Sequence, residues 1–95
     1  MIEIRKVPDG IRIEGHAYYA PRGQDIVCAG VSALTLGLVD SLEELTEDTI
    51  EYDISIGLVD IRYRDLSAKG QLLVDSFFVG VKLIADQYPD HVRIV

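Results

Sequence analysis

The residues able to do chemistry in this 95-residue chain gather near its N-terminal end. Cys28 is the one cysteine, set in Gly23-Gln24-Asp25-Ile26-Val27-Cys28-Ala29-Gly30-Val31-Ser32. With Asp25 as the N-cap of a helix, Cys28 takes the third position of the first turn. Free backbone N–H groups and the positive end of the macrodipole lie there, and both favour a thiolate over a thiol. The thiolate is the nucleophilic form. Ala29, Gly30 and Ala33 leave room for an approaching group, and Ser32 follows four residues on, on the same helical face. His16 precedes Cys28 by twelve residues. An imidazole in contact with a thiol can form an ion pair, the activation that cysteine hydrolases use. Such a histidine normally needs a third group to orient it, and Asp25 is the nearest in sequence. Each residue also has a plainer explanation: a small buried hydrophobe for Cys28, an ordinary N-cap for Asp25, a half-exposed strand end for His16. One cysteine and two histidines, with His91 far along the chain, fall short of a closed zinc shell. Gly15 and Gly23 complete no phosphate-binding pattern, and thiol chemistry of this kind needs no cofactor.

The elements that must position these residues follow from periodicity. Ile2 and Ile4 alternate with Glu3 and Arg5, Pro8-Asp9-Gly10 marks a turn, and Ile11 and Ile13 alternate with Arg12 and Glu14. This predicts a β-hairpin that His16 ends, its side chain on the face opposite Ile11 and Ile13. Ala17 to Gln24 is a loop, containing Tyr18, Tyr19, Arg22 and Gly23, long enough to return the chain beside that strand end. A helix is predicted from Asp25 to about Val39. Ser41-Leu42-Glu43-Glu44 reads as a capping box, from which a second short helix restarts. From Thr49 the period becomes two, giving a hairpin through Ile50, Tyr52, Ile54 and Ile56, then Leu58, Val59, Ile61 and Tyr63, with Gly57 near the turn. Ser67 caps a long helix that stops at Tyr88-Pro89, and Val92 to Val95 closes with a strand. The predicted fold is one α+β domain over residues 1–95, in ββαββαβ order, with two helices on one mixed or antiparallel sheet.

The last helix carries two apolar stripes, Leu73-Phe77-Val81-Ile84-Tyr88 and Val74-Phe78-Ala85. A two-layer domain covers one, so the other is expected to meet a second copy in a homodimer.

Composition narrows the possible roles. The formal charge is −7, from 16 acidic and 9 basic residues, and no Lys or Arg falls between Gly23 and Ile61. That acidic window, with Asp40, Glu43, Glu44, Glu47, Glu51 and Asp53, repels a phosphate backbone and suits a basic peptide instead. A lone cysteine suits a reducing compartment. The first residues lack the basic-then-apolar signal pattern, and no unbroken apolar run has a membrane span's length of about 18 residues. The expected location is the cytoplasm, without membrane or nucleic-acid partners.

Gly15-His16-Ala17, followed by Gly23-Gln24-Asp25-Ile26-Val27-Cys28-Ala29-Gly30-Val31-Ser32-Ala33-Leu34, resembles the signature of the ribosomal-processing cysteine proteases of the Prp family. A weaker similarity runs through the last helix to Tyr88-Pro89. The resemblance implies an endopeptidase that removes a short N-terminal extension from a bacterial large-subunit ribosomal protein, or a virion protein in phage relatives. Carried over by position, it makes Cys28 the nucleophile and His16 the base, with Asp25 and Ser32 in support. It also implies a mobile loop, here Ala17 to Gln24, that orders around a peptide substrate, and a homodimer. The competing reading is a non-catalytic dimeric module that docks on a basic protein in ribosome or virion assembly. A different thiol enzyme is the other; dithiol redox chemistry has no resolving partner here.

Overall fold

A computed structural model describes residues 1–95. The chain forms β1 (Ile2–Val7), β2 (Gly10–Glu14), α1 (Ile26–Leu45), β3 (Ile50–Ser55), β4 (Leu58–Tyr63), α2 (Ala68–Gln87) and β5 (Val92–Ile94). The strands make one five-stranded sheet in the order β3-β4-β2-β1-β5. All neighbours are antiparallel except β1 and β5, which run parallel. The expected α+β fold and element order are therefore those observed.

Alternation decides which face of the sheet is covered. Ile4 pairs with Ile13, Ile11 with Ile61 and Ile2 with Val92, so these side chains share one face, and all are buried. Val27, Val31, Leu38, Val39 and Leu42 of α1 and Val74, Phe77 and Val81 of α2 complete the core above them. Each such side chain contributes about 1.5–3 kcal/mol of burial. The opposite face carries Glu3, Arg5, Arg12, Glu14, Asp60 and Arg62 and stays in water, with ion pairs such as Arg62–Asp9 at 2.6 Å.

Two expectations about the helices change. There is no restart at Ser41: α1 runs unbroken to Leu45, because no Gly or Pro interrupts it there and Leu42 continues the buried stripe. It stops at Thr46, in extended geometry, whose hydroxyl donates to the Leu42 carbonyl at 2.6 Å and accepts from Asp48 N–H at 3.1 Å. This helix is also long and apolar enough to span a bilayer, which the count of unbroken apolar runs did not register; here its apolar face forms the core. In α2, capped by Ser67, the fold covers both apolar stripes. Val74, Phe77 and Val81 face the sheet, while Leu73, Phe78, Ile84 and Ala85 pack at the core's edge. What stays bare is a third line, Leu72, Val79 and Leu83, each more than 60% exposed.

Candidate active site

Asp25 builds the start of α1. Its Oδ1 accepts from the amides of Val27 (3.0 Å) and Cys28 (2.9 Å), as an N-cap does. Its Oδ2 reaches back across the loop to the amides of Tyr19 (3.0 Å) and Ala20 (3.4 Å). Partial burial works to raise the carboxyl's pKa. The hydrogen bonds from the Cys28, Tyr19 and Ala20 amides and the Cys28 side chain outweigh it, so the net shift is downward. One carboxylate thus ties the helix that bears the thiol to the loop that follows the histidine. It makes no hydrogen bond to His16, so it does not orient the imidazole.

His16 lies two residues past the end of β2, and alternation does not reach it. Gly15 takes φ +98°, and a Cβ there would stand 2.2 Å from the Met1 carbonyl oxygen, so only glycine fits this bend. The bend delivers His16 to the groove that Cys28 lines rather than to the polar face of the hairpin. The imidazole meets the β3–β4 turn: a Cβ on Gly57 would lie 3.0 Å from His16 Nε2. The Tyr18 ring stands edge-on to it, 5.8 Å between centroids.

Cys28 is half-buried. Its Sγ accepts a hydrogen bond from the Ala17 N–H at 3.3 Å. No hydrogen bond joins thiol and imidazole directly, though the two share the walls of both cavities at this place. One is an open groove of about 720 Å³ lined by His16, Tyr18, Arg22, Gly23, Asp25, Ile26, Cys28, Ser32 and Ile56, among others. Adjoining it at His16, Cys28 and Ser32 is a second cavity of about 230 Å³ walled largely by Ile2, Ile13, Val31, Leu36, Ile54, Leu58 and Val59. Ser32 borders both, and its hydroxyl has no partner within the protein.

The structure therefore gathers His16, Cys28, Asp25, Ser32, Tyr18, Arg22 and Gly23 around one groove. Tyr19 is the exception. It turns away and stacks edge-on to Tyr88 (5.2 Å) and His91 (5.4 Å), so it anchors the loop rather than lining the site. Tyr18 adopts a left-handed backbone (φ +54°) with an exposed ring, a conformation that costs a non-glycine residue about 1–2 kcal/mol. Sequence reasoning missed Ala17, Ile56 and Gly57 as parts of the site. No local signal marks Ile56 or Gly57, since the β3–β4 turn reaches His16 only through the pairing of β4 with β2, while Ala17 stood in the Gly15-His16-Ala17 motif without a role of its own.

A thiol at a helix start, an imidazole on the same groove and an open cleft beside both are the features of a cysteine protease. The comparisons with known proteins agree: the profile of the family described as "Cysteine protease Prp" matches residues 1–93, and the chain belongs to that family. The Staphylococcus aureus "Ribosomal processing cysteine protease Prp" is 36% identical over 92 residues, covering 94% of this chain and 86% of that relative. The structure of an S. aureus Prp with a covalently linked product peptide superposes with a TM-score of 0.89 at 27% identity, covering 98% of this chain and 94% of the other. Its complex with a substrate peptide gives 0.83 at 26% identity, covering 99% and 95%.

Proposed function

We propose that this chain is a processing endopeptidase that removes a short N-terminal extension from a large-subunit ribosomal protein, with Cys28 as nucleophile and His16 as general base. The single observation that carries the assignment of roles is the shared groove. Cys28 and His16 are its thiol and its imidazole, and they come from opposite ends of the loop above it. The substrate class comes from the relatives, named for ribosomal processing and seen with a substrate peptide and a covalent product.

His16 takes the Cys28 proton as the thiolate attacks the scissile carbonyl, forming a C–S bond and a tetrahedral oxyanion. The oxyanion collapses, the C–N bond breaks, and the imidazolium gives its proton to the leaving amine. Water, deprotonated by His16, then hydrolyses the thioester. Because Asp25 already holds the Val27 and Cys28 amides, the helix start offers the oxyanion only the Ile26 N–H. The Ser32 hydroxyl, one turn beyond Cys28 on the same groove, adds a donor beside it. Acidic side chains of α1 gather against β3, where Asp40 and Glu43 face Tyr52 closely enough to raise its pKa, Glu43 through Coulombic repulsion first. A basic stretch of substrate complements them.

Two further properties belong to this reading. A homodimer forms through the bare Leu72, Val79 and Leu83 line of α2, which is apolar and solvent-facing. The free thiol suits a cytoplasmic location.

The test is cleavage of peptides spanning the N-terminal extension of a large-subunit ribosomal protein, with virion-protein peptides alongside, followed by mass spectrometry. Wild type cleaves the ribosomal peptide, while Cys28→Ala and His16→Ala each lose at least 1000-fold with the fold intact. Cleavage that survives Cys28→Ala ends the assignment. Binding of a basic protein without any cleavage would favour a docking module.

A further inference from the structure

The half-buried His91 stands outside the groove, and the thiol mechanism does not use it. Its Nδ1 lies 2.8 Å from the Ala17 carbonyl oxygen. A carbonyl only accepts, so Nδ1 carries the proton, as it does in one neutral tautomer and in the imidazolium alike. On the other side of the same α-carbon, the Ala17 N–H donates to Cys28 Sγ at 3.3 Å. The peptide unit that supplies this N–H also contains the His16 carbonyl. One tether from His91 thus fixes the residue that joins nucleophile to base.

The tether starts from rigid scaffold. The His91 backbone N–H donates to the Tyr88 carbonyl at 2.9 Å, at the end of α2, and its own carbonyl accepts from Ile2 N–H at 2.8 Å, at the start of β1. Its ring is held edge-on by Tyr19, 5.4 Å between centroids, which itself packs on Tyr88. Ala17 is only 1% exposed, whereas the loop beyond it is mostly exposed. The start of the loop is held at two adjacent carbonyls, the Met1 ammonium donating to that of His16 and His91 to that of Ala17, and His91 is the one that does so through a side chain.

We infer that His91 is a positioning residue for the nucleophile: it holds the Ala17 carbonyl so that the Ala17 N–H stays on the Cys28 sulfur and helps carry its charge. A backbone N–H aimed at a thiolate favours the ionised form. When the Ala17 carbonyl is released, ψ of Ala17 relaxes and the N–H on its other side is held less firmly on the sulfur, with the Met1 contact to the His16 carbonyl as the remaining hold on that peptide unit. This inference rests on Cys28 being the nucleophile.

Two substitutions separate the hydrogen bond from the ring packing. His91→Phe keeps an aromatic edge for Tyr19 but has no donor. His91→Asn keeps a donor on its γ-carbon, as Nδ1 is in histidine, and gives up the ring. The first measurement is Cys28 alkylation by iodoacetamide at neutral pH, divided by the rate near pH 10, where an accessible thiol is ionised; the ratio cancels changes in access. The second is kcat/KM on the cleaved peptide, with melting temperature as a check on folding. His91→Phe is expected to lower the alkylation ratio about 10-fold and kcat/KM about 10- to 100-fold, chiefly through kcat. His91→Asn should recover most of both. A His91→Phe protein that matches wild type in both measurements overturns the inference, and so does a His91→Asn protein as impaired as His91→Phe. The alkylation ratio reads the tether even if no test peptide is cut, so failure of the protease reading stays distinguishable from failure of this one.

Discussion

The imidazole of His16 rests against the α-carbon of Gly57, so close that a methyl group added there would stand 3.0 Å from Nε2. The carbonyl of Gly57 also accepts from the Gly15 N–H at 2.9 Å. The β3–β4 turn is therefore a steric seat that limits where the imidazole can stand. Gly57 has φ +74°, so alanine there carries a left-handed strain of about 1–2 kcal/mol as well as the contact. Gly57→Ala should lower the melting temperature by roughly 4–15 °C and kcat/KM by about 10- to 100-fold. Gly57→Asn separates the two effects. Asparagine tolerates positive φ, so stability should largely return, but its Cβ still displaces His16 and activity should stay low.

Asp25 makes the site sensitive to acid. Its carboxyl titrates below its ordinary range because hydrogen bonds to the charged form outweigh the burial that opposes them. Glu3 shifts the same way, through its hydrogen bond and charge pairing with Arg93. A carboxyl whose folded pKa is depressed stabilises the fold above its unfolded value and loses that stabilisation as pH falls through the folded one. The window therefore lies below about pH 4–4.5. Acid unfolding followed by circular dichroism should be shallower in Asp25→Asn than in wild type. Asparagine retains one cap acceptor but cannot hold both amide pairs with charge. Hydrogen exchange at the Tyr19 and Ala20 amides should accordingly quicken more than in the body of α1.

Ser32 should matter to chemistry and not to folding. Its hydroxyl has no internal partner and faces the groove one turn beyond Cys28, so Ser32→Ala should change unfolding free energy by less than about 0.5 kcal/mol. If the hydroxyl is an oxyanion donor, kcat should fall by about 100-fold or more, while KM moves little. An unchanged kcat would leave Ile26 N–H as the donor and remove Ser32 from the mechanism.

How much of this was legible in the sequence depended on whether the signal was local. The hairpins, both long helices and the caps at Asp25 and Ser67 follow from periodicity and capping chemistry within a few residues, and all are present. Cys28 at the third helical position follows from Asp25 in the same way. Ser41 misled because a serine followed by glutamates satisfies a local capping pattern, while the burial of Leu42 keeps the helix going. The contacts of Gly57 and His91 with the site, and the turning of Tyr19 away from it, were illegible for the opposite reason. Each meets its partner only after β5 pairs with β1, or β4 with β2. His16 fell between the two cases: its type and spacing were informative, but its direction depended on Gly15 leaving the strand geometry.

The apolar surplus of α2 sorts into two energetic classes, and substitutions should show it. Phe77 is 4% exposed and packs against Phe78, with ring centroids 5.3 Å apart. Phe77→Ala leaves a core cavity and should cost about 3–5 kcal/mol in chemical denaturation, a large share of the stability available to a domain of this size. Leu83 is 67% exposed, so within a single copy Leu83→Ala should cost less than about 0.5 kcal/mol. In a homodimer built on α2 the same side chain is covered, and Leu83→Glu would place an unpaired charge in an apolar contact. Sedimentation velocity should then show wild type as a dimer and Leu83→Glu as a folded monomer, with Leu72→Glu behaving alike. A wild-type protein that sediments as a monomer across micromolar concentrations would leave Leu72, Val79 and Leu83 as bare surface and remove the dimer from the proposal.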